Sequence, residues 1–322
     1  MKQTMSAPSR STPQHAPALG LTHRLLGRFH VTGIFWYRFA YWGFTRPPSW
    51  TEWISVPISA VFFFLVLGRI RGALAANLEP VLGPANPLKR LARSFRTIWA
   101  FSWCFTERYR RFANPERYTG VLEGEEHWHE VMGAGGGAIL VTAHIGPWET
   151  ATHFGASNSP RRIHIVRERE IDPRAQQFIE DLLSRSGNTY ITHFASEDLT
   201  LGIELARALR DGDVVALQCD RPRDGGRSLT VSLFGRPMPL PTGPAALARA
   251  AQVPILPVFN FRDGRFRVRT VVRRPIHVPA TTDRDGDVAT AMRRLATEVE
   301  WAIRRNPHQW FCFRRLWGQP GG

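Results

Sequence analysis

Short apolar runs alternate with amphipathic stretches over most of the chain, and this alternation predicts the secondary structure. A short apolar run bounded by polar residues or glycine indicates a buried strand, whereas apolar positions three and four residues apart indicate a helix. The predicted strands are residues 138–143, 163–167, 189–193, 213–219, 229–234, 254–261 and 265–272. The predicted helices are residues 88–108, 172–186, 199–209, 243–251 and a long final helix around 292–303.

Strands that alternate with helices predict an α/β fold with a mainly parallel central sheet flanked by helices. The chain has 322 residues, 43% of them hydrophobic, which is enough for a substantial core. We expect a disordered tail, a membrane-associated helical segment, one main α/β domain and a short terminal tail. Their predicted ranges are 1–20, 21–75, 76–317 and 318–322.

The amino-terminal part differs from the rest in charge. Residues 1–51 contain no acidic residue but several arginines and a cluster of aromatic residues, a composition typical of segments at a membrane interface. Residues 53–68 are uncharged and as a helix would extend about 24 Å, less than the roughly 30 Å of a hydrocarbon core. A tilted span, a re-entrant hairpin with residues 29–45, an embedded helix and a buried core helix all remain open, and Pro57 is expected to disturb the helix.

The formal net charge of +15 requires an anionic partner such as a nucleic acid, an anionic membrane or an acidic carrier. Because no nucleic-acid-binding module is recognisable, we expect a membrane surface and no nucleic acid. The three cysteines, Cys104, Cys219 and Cys312, are far apart, which predicts a reducing compartment without a disulfide framework. No metal-binding motif occurs, so His127, His129 and Glu130 are interpreted as a solvated helix face, and no metal or cofactor is expected.

The strongest chemical signal is His144 at the end of the predicted strand 138–143, followed five positions later by Glu149. Gly146 and Pro147 would end the strand and begin a helix, with Glu149 in its first turn. A neutral imidazole can accept a proton from a hydroxyl group, and a carboxylate behind it fixes its tautomer. The alternative is a core histidine with a helix-capping glutamate.

Other polar residues end neighbouring strands or begin helices. Asp220 follows the strand 213–219. It is predicted to bind the substrate that presents the hydroxyl group (the acceptor), to support the site, or to form a turn. Arg167 ends another strand, where it would hold an anionic phosphate, a headgroup or an oxyanion, or form a surface ion pair. Thr242 and Gly243 begin a helix and would either cradle an anion or only cap the helix.

Together with these residues, several blocks in order along the chain resemble the bacterial lipid A biosynthesis lauroyl and myristoyl acyltransferases and the related phosphatidylinositol mannoside acyltransferases. These blocks are the His-x-x-x-x-Glu box, Ala75–Leu78, Ile163–Arg167, Asp220–Gly226, Val231–Gly235, Pro241–Ala245 and Asn306–Arg315. The resemblance covers roughly residues 70–317. It implies an acyltransferase domain, a catalytic role for His144 and Glu149, and a phosphate-binding or interfacial role for Arg314 and Arg315, which otherwise resemble a solvated tail.

The sequence and the resemblance together predict an O-acyltransferase of lipid biosynthesis at the cytoplasmic face of the inner membrane. The donor would be an acyl thioester of acyl carrier protein or coenzyme A, and the acceptor a hydroxyl group of a lipid or glycolipid resembling a lipid A precursor. His144 would deprotonate that hydroxyl, Glu149 would orient His144, and Arg167 or backbone amides would hold the oxyanion. A hydrolase that uses the same site and a non-enzymatic basic membrane-binding protein are the alternatives.

Overall fold

The central element is a seven-stranded sheet with the order β1-β9-β8-β2-β5-β3-β4. The structure is a computed structural model that describes residues 34–148, 161–184, 190–195, 199–222 and 226–317. All neighbouring strands of this sheet are parallel except β8 and β9. The strands are β1 (Thr119–Glu123), β2 (Ala138–Thr142), β3 (Ile163–Arg167), β4 (Tyr190–Phe194), β5 (Val214–Gln218), β8 (Ile255–Arg262) and β9 (Arg267–Val272).

Helices cover both faces of this sheet and form the amino-terminal part of the described chain. They are α1 (Ile34–Thr45), α2 (Glu52–Val66), α3 (Gly68–Leu82), α4 (Pro87–Ala113), α5 (Glu125–Gly133), α6 (Pro173–Ser184), α7 (Leu199–Arg210), α8 (Gly243–Ala251) and α9 (Arg284–Arg305). A separate antiparallel hairpin consists of β6 (Ser228–Leu233) and β7 (Arg236–Pro241). The predicted fold class, a mainly parallel sheet flanked by helices, is therefore confirmed.

Strand β2 shows why its sequence is continuously apolar. Ile139 and Val141 pack into the core cluster formed with α7, α8 and α9, whereas Ala138 and Leu140 pack on the opposite face with Trp128 of α5. Because successive side chains of a strand point to opposite faces, a strand covered on both faces has no polar side. The central position of β2 places the residues that follow it at the middle of the carboxyl edge of the sheet.

The sequence did not reveal two strands. Strand β1 lies at an edge of the sheet, and three of its five residues are exposed, so it lacks a strong apolar pattern. Strand β7 contains Pro237, Pro239 and Pro241, which disfavour a strand. Since these prolines occupy alternate positions, they can all avoid the hydrogen-bonded pairs of the antiparallel ladder. Their partner β6, the predicted strand 229–234, consequently pairs in the hairpin and not in the central sheet.

The amino-terminal helices pack on the α/β domain through α4. Helices α1, α2 and α3 all contact α4, and the boundary that we expected between residues 75 and 76 falls inside the uninterrupted helix α3. Helix α2 continues through Pro57, so the expected disturbance does not interrupt it. Most of its apolar side chains are exposed, as Ile58 (64%) and Leu65 (66%) show, which excludes a buried core helix. The predicted tails 1–20 and 318–322 lie outside the described residues.

Among the described residues, one helix is long and apolar enough to span a membrane. This helical stretch is Ser49–Val66, and only 17% of it is buried inside the protein. The buried carboxylate of Glu52, at the start of α2, binds Arg110 of α4 and also Arg265, whose nitrogen lies 2.9 Å from it. These contacts fasten one end of α2 to the α/β domain.

Buried Asn77 of α3 fastens the carboxyl-terminal segment. Its amide nitrogen donates hydrogen bonds to the carbonyl groups of Cys312 and Arg314, at 3.1 and 2.7 Å, and its oxygen accepts one from the backbone N–H of Leu316 at 2.9 Å. The block Ala75–Leu78 thus has a structural role, and we call the three hydrogen bonds of Asn77 to the carboxyl-terminal segment the clamp. It holds the segment that contributes Trp310 and Phe311 to the site described below.

The first prediction concerns this clamp. We expect Asn77→Ala to lower the free energy of unfolding by about 3 kcal/mol, because it leaves three backbone groups without their partner. Urea denaturation of the purified protein measures the change. As a control, Asn86→Ala removes only an exposed helix cap, in which the Asn86 side chain accepts a hydrogen bond from the Lys89 N–H at 2.8 Å. Its free energy of unfolding should fall by about 1 kcal/mol. An Asn77→Ala effect no larger than that of the control would contradict the clamp.

Candidate active site

His144 and Asp220 are brought together by the register of two central strands. Thr142, at the end of β2, pairs with Gln218, at the end of β5, and each functional residue follows its strand by two positions. The backbone N–H of Cys219 donates to the carbonyl of Thr142 at 3.0 Å, which keeps the two chains adjacent beyond the strands. The structure thus places both residues at the carboxyl ends of adjacent parallel strands, as predicted.

The imidazole Nδ1 of His144 lies 2.7 Å from Oδ1 of Asp220. The other carboxylate oxygen accepts a hydrogen bond from the indole N–H of Trp310 at 2.9 Å. The Asp220 side chain is fully buried, and burial, the largest single influence on its pKa, favours the neutral form. The opposing attraction of His144 and the bonds from His144 and Trp310 outweigh burial, so the pKa of Asp220 lies below its usual range.

An ionised Asp220 fixes the tautomer of His144. Because a carboxylate only accepts hydrogen bonds, Nδ1 of His144 must carry the proton that it shares with Asp220. In the neutral imidazole, Nε2 then keeps a free lone pair, the form that a general base requires. Of the roles left open for Asp220, support of the site fits its burial better than direct contact with an acceptor.

The backbone around His144 is fixed on both sides. The N–H of Phe311 donates to the carbonyl of His144 at 2.8 Å, and Ile145 forms an isolated bridge with Trp310. Gly146 has a φ of +53° and donates its N–H to the carbonyl of Gln309 at 2.8 Å. A Cβ atom at this position would lie 2.4 Å from the carbonyl oxygen of Asn260, so only glycine fits here.

The helix expected after Gly146 lies largely beyond the described residues. Pro147 and Trp148 follow Gly146 outside any helix, and Glu149 belongs to the segment 149–160, which the structure does not describe. The orienting role of Glu149 therefore stays a prediction. Within the described residues, the carboxylate that contacts the histidine is that of Asp220.

His144 lines a cavity of about 290 Å³ between α4 and the carboxyl edge of the sheet. One face of α4 forms a long wall with residues at helical spacing, and the carboxyl-terminal segment contributes Phe311 and Phe313. The described lining residues are Phe101, Cys104, Phe105, Glu107, Arg108, Arg111, Tyr118, His144, Gly146, Pro147, Trp148, Arg221, Val268, Phe311 and Phe313. The wall is mainly apolar, with charged groups at a few positions.

The remaining predicted site residues lie outside this set of lining residues. Arg167 is half-buried at the end of β3, with its guanidinium 3.7 Å from the carboxylate of Glu170. Thr242 and Gly243 begin α8, next to Pro241, whose carbonyl lies 3.6 Å from the Cys219 thiol. Arg314 and Arg315 are exposed, and their segment is held by Asn77. Substrate contacts of these residues stay predictions.

The same region holds a candidate nucleophile. Cys104 lines the cavity, but burial raises the pKa of its thiol well above the usual range, which disfavours the nucleophilic thiolate. Within the described ranges, no cluster of three or more His, Cys, Asp or Glu side chains is arranged to hold a metal ion. The backbone N–H groups of Ile145 and Trp148 are already bonded to the carbonyls of Ala143 and Gly146.

A family model described as bacterial lipid A biosynthesis acyltransferase matches residues 35–319, which is most of the chain. The chain belongs to this family. Two phosphatidylinositol mannoside acyltransferases of Mycobacterium tuberculosis, from strains CDC 1551 / Oshkosh and ATCC 25618 / H37Rv, are 26% and 27% identical to it over 256 residues. The alignments cover 78% of this chain and 75% of each relative.

Family membership confirms three expectations from the sequence. The protein is an acyltransferase, it acts in lipid biosynthesis with an acyl donor and a lipid acceptor, and it is membrane-associated. The alternative of a non-enzymatic basic binding protein loses its support. Sequence reasoning did not foresee the contacts of Trp310 with Asp220 or the contribution of α4 to the cavity, although the apolar spacing of residues 88–108 indicated a helix with one buried face.

The second prediction uses the close approach at Gly146. We expect Gly146→Ala to lower kcat by about 100-fold, because the added Cβ must displace Gly146 from Asn260 and with it the neighbouring His144. Steady-state kinetics on folded protein measures the effect. Gly135→Ala is the control, since Gly135 also has a positive φ, of +78°, but its Cβ would meet nothing within 4 Å. Equal losses for both variants would show that close packing at Gly146 is unimportant.

Proposed function

We propose that the protein transfers a fatty acyl group from a thioester to a hydroxyl group of a lipid or glycolipid. The observation that carries this proposal is the His144–Asp220 pair, at 2.7 Å, facing a mainly apolar cavity. The donor would be an acyl thioester of acyl carrier protein or coenzyme A. The acceptor would be a glycolipid such as a lipid A precursor or a phosphatidylinositol mannoside, the compound named for the two relatives.

In the proposed reaction, Nε2 of His144 removes the proton of the acceptor hydroxyl as its oxygen attacks the thioester carbonyl. The carbonyl oxygen becomes negatively charged in the tetrahedral intermediate, for which Arg167 or backbone amides stay the proposed stabilising groups. The carbon–sulfur bond then breaks, and the leaving thiolate receives from Nε2 the proton that came from the acceptor hydroxyl. Asp220 orients the imidazole and stabilises its positive charge, with Glu149 as a second carboxylate of proposed orienting role.

The third prediction tests this base. His144→Ala should lower kcat by about 10²- to 10⁴-fold with the fold intact, and Asp220→Asn should lower it by a similar factor, because the amide cannot stabilise the imidazolium. His129→Ala, which changes an exposed histidine of α5, should act as wild type. The assay follows release of free thiol and acylation of an added lipid extract. Near wild-type turnover by folded His144→Ala protein would refute the mechanism.

The same assay separates acyl transfer from hydrolysis. A transferase releases thiol in step with acylation of the acceptor, whereas a hydrolase releases thiol at the same rate without any acceptor. Glu149→Gln, measured alongside Asp220→Asn, shows which carboxylate His144 depends on. If Glu149→Gln alone abolishes turnover, the orienting role belongs to Glu149 and not to Asp220.

We further propose that α2 lies embedded along the membrane surface on the cytoplasmic side of the inner membrane. A spanning helix would place its two ends on opposite sides of the bilayer, but α1 before it and α3 after it both pack on α4. Its 15 residues would also extend only about 22 Å. The guanidinium of Arg71, bonded to the carbonyls of Phe64 and Leu65, supplies a cation at the end of the apolar face.

The fourth prediction concerns this attachment. Full-length protein should stay in the membrane fraction through a wash with 1 M salt. At this concentration electrostatic attraction is screened beyond about 3 Å, but the burial of apolar side chains in the membrane is not weakened by screening. Ile58→Glu combined with Phe62→Glu should release it. The control Ile203→Glu changes an isoleucine of similar exposure, 66%, on α7. Full release of the wild-type protein by salt alone would show that attachment is only electrostatic.

A further inference from the structure

The cavity in front of His144 carries an excess of positive charge in a mainly apolar wall. Three guanidinium groups line it, those of Arg108, Arg111 and Arg221, against one carboxylate among its described lining residues, Glu107. That carboxylate is already engaged, since Arg262 binds both of its oxygens, at 3.0 and 2.9 Å. Because Glu107 is shared with Arg262, the described lining of this cavity keeps an excess of positive charge.

Arg111 lies near the end of α4 and is half-buried. Its guanidinium stacks over the ring of Tyr118, with 4.6 Å between the guanidinium carbon and the ring centroid. It makes no hydrogen bond or ion pair within the part of the chain that the structure describes. Burial is the main influence on this group and lowers the pKa of Arg111, so its surroundings disfavour the positive charge.

Arg221 follows Asp220 directly and is also half-buried. Asp220 is turned inward to His144 and Trp310, and it forms no bond with Arg221. Across residues 34–148, 161–184, 190–195, 199–222 and 226–317, no hydrogen bond or ion pair of the Arg221 guanidinium is found. The charge of Arg221 consequently faces the same cavity as the imidazole of His144.

Three other shielded arginines of the described chain are paired. Arg93 donates to the carbonyls of Leu82 and Gly83, Arg110 binds Glu52, and Arg262 binds Glu107. Holding a guanidinium partly out of water without a partner is unfavourable, and its planar fork matches the oxygens of a phosphate. Arg111 and Arg221 thus have the character of ligand-binding groups more than of structural ones.

We propose that Arg111 and Arg221 bind a phosphate group of a substrate whose apolar chain occupies the same cavity. The proposal rests on the proposed acyl transfer and deepens it, because it identifies the ligand as a phosphorylated amphiphile. Two substrates supply this chemistry, namely the phosphopantetheine arm of a thioester donor and a phosphate-bearing lipid acceptor. A binding measurement without turnover tests whether the phosphate site exists. Steady-state kinetics then show whether the phosphate belongs to the donor or to the acceptor.

The binding experiment uses hexyl phosphate and hexyl glucoside as probes, titrated into the full-length protein and followed by calorimetry. Wild-type protein should bind hexyl phosphate at least about tenfold more tightly than hexyl glucoside. Arg111→Gln and Arg221→Gln should each weaken phosphate binding by about tenfold and leave glucoside binding unchanged. Equal affinity for the two probes, or phosphate affinity that survives either substitution, would overturn the proposal.

Two further variants control for charge and folding. Arg96→Gln removes one positive charge from an exposed position of the same helix, outside the cavity, and should bind hexyl phosphate as wild type does. Arg111→Lys keeps the charge but loses the planar fork, so its phosphate affinity should fall between those of wild type and Arg111→Gln. If Arg96→Gln weakens binding as much as Arg111→Gln, the effect is a general one of net charge and the site is refuted.

Kinetics assign the phosphate to a substrate. If it belongs to the donor, both glutamine variants raise the KM for acyl-coenzyme A about tenfold but not the KM for the phosphate-free acyl-N-acetylcysteamine. If it belongs to the acceptor, the KM for a phosphorylated acceptor rises with either donor. His144→Ala should bind hexyl phosphate normally, so failure of the catalytic proposal and failure of the phosphate site give different results. A KM unchanged for every substrate would overturn the assignment of this site to the reaction.

Discussion

The hydrogen bond between His144 and the buried carboxylate of Asp220 is the interaction on which the site depends. A carboxylate removed from water needs hydrogen bonds to its oxygens, and here the imidazole Nδ1–H of His144 and the indole N–H of Trp310 supply one to each oxygen. Each partner comes from a different part of the chain. His144 and Asp220 follow adjacent strands, whereas Trp310 follows the last long helix.

This requirement explains why distant segments are tied together around the sheet edge. Trp310 can reach Asp220 only if the carboxyl-terminal segment lies against residues 144–146, and the bonds of Phe311 and Gln309 to that backbone keep it there. Asn77 also holds the same segment, through a hydrogen bond to Cys312, which lies 235 residues away in sequence. Four of the blocks that resemble the acyltransferase family, those that contain Asn77, His144, Asp220 and Trp310, are therefore joined in one hydrogen-bonded assembly.

The sequence predicted those features that have a local cause. The strand before His144, the strand before Asp220 and the common edge of both follow from apolar runs and the rules of parallel sheets. The partner of Nδ1 does not follow from such patterns, because it depends on the register of β2 and β5, which pairs Thr142 with Gln218. Glu149 lies outside the described residues and its orienting role stays a prediction, while Asp220, 76 residues away, is the carboxylate that contacts His144 among the described residues. The edge strand β1 and the proline-containing β7 lacked the local signal altogether.

Helix α4 lies between the helix proposed to enter the membrane, α2, and the cavity in front of His144. The helices before it, including α2 with its exposed apolar face, pack on α4, while another part of its surface lines the cavity with Phe101, Phe105 and Arg111. An amphiphile that leaves the bilayer near α2 would thus pass along a single helix to reach His144. Because α4 carries both apolar rings and guanidinium groups on the cavity side, it can accept a chain and an anionic group together. A helix that only supported the sheet would have no physical reason to hold the guanidinium of Arg111 half-buried beside the cavity, where the described residues offer it no hydrogen bond or ion pair.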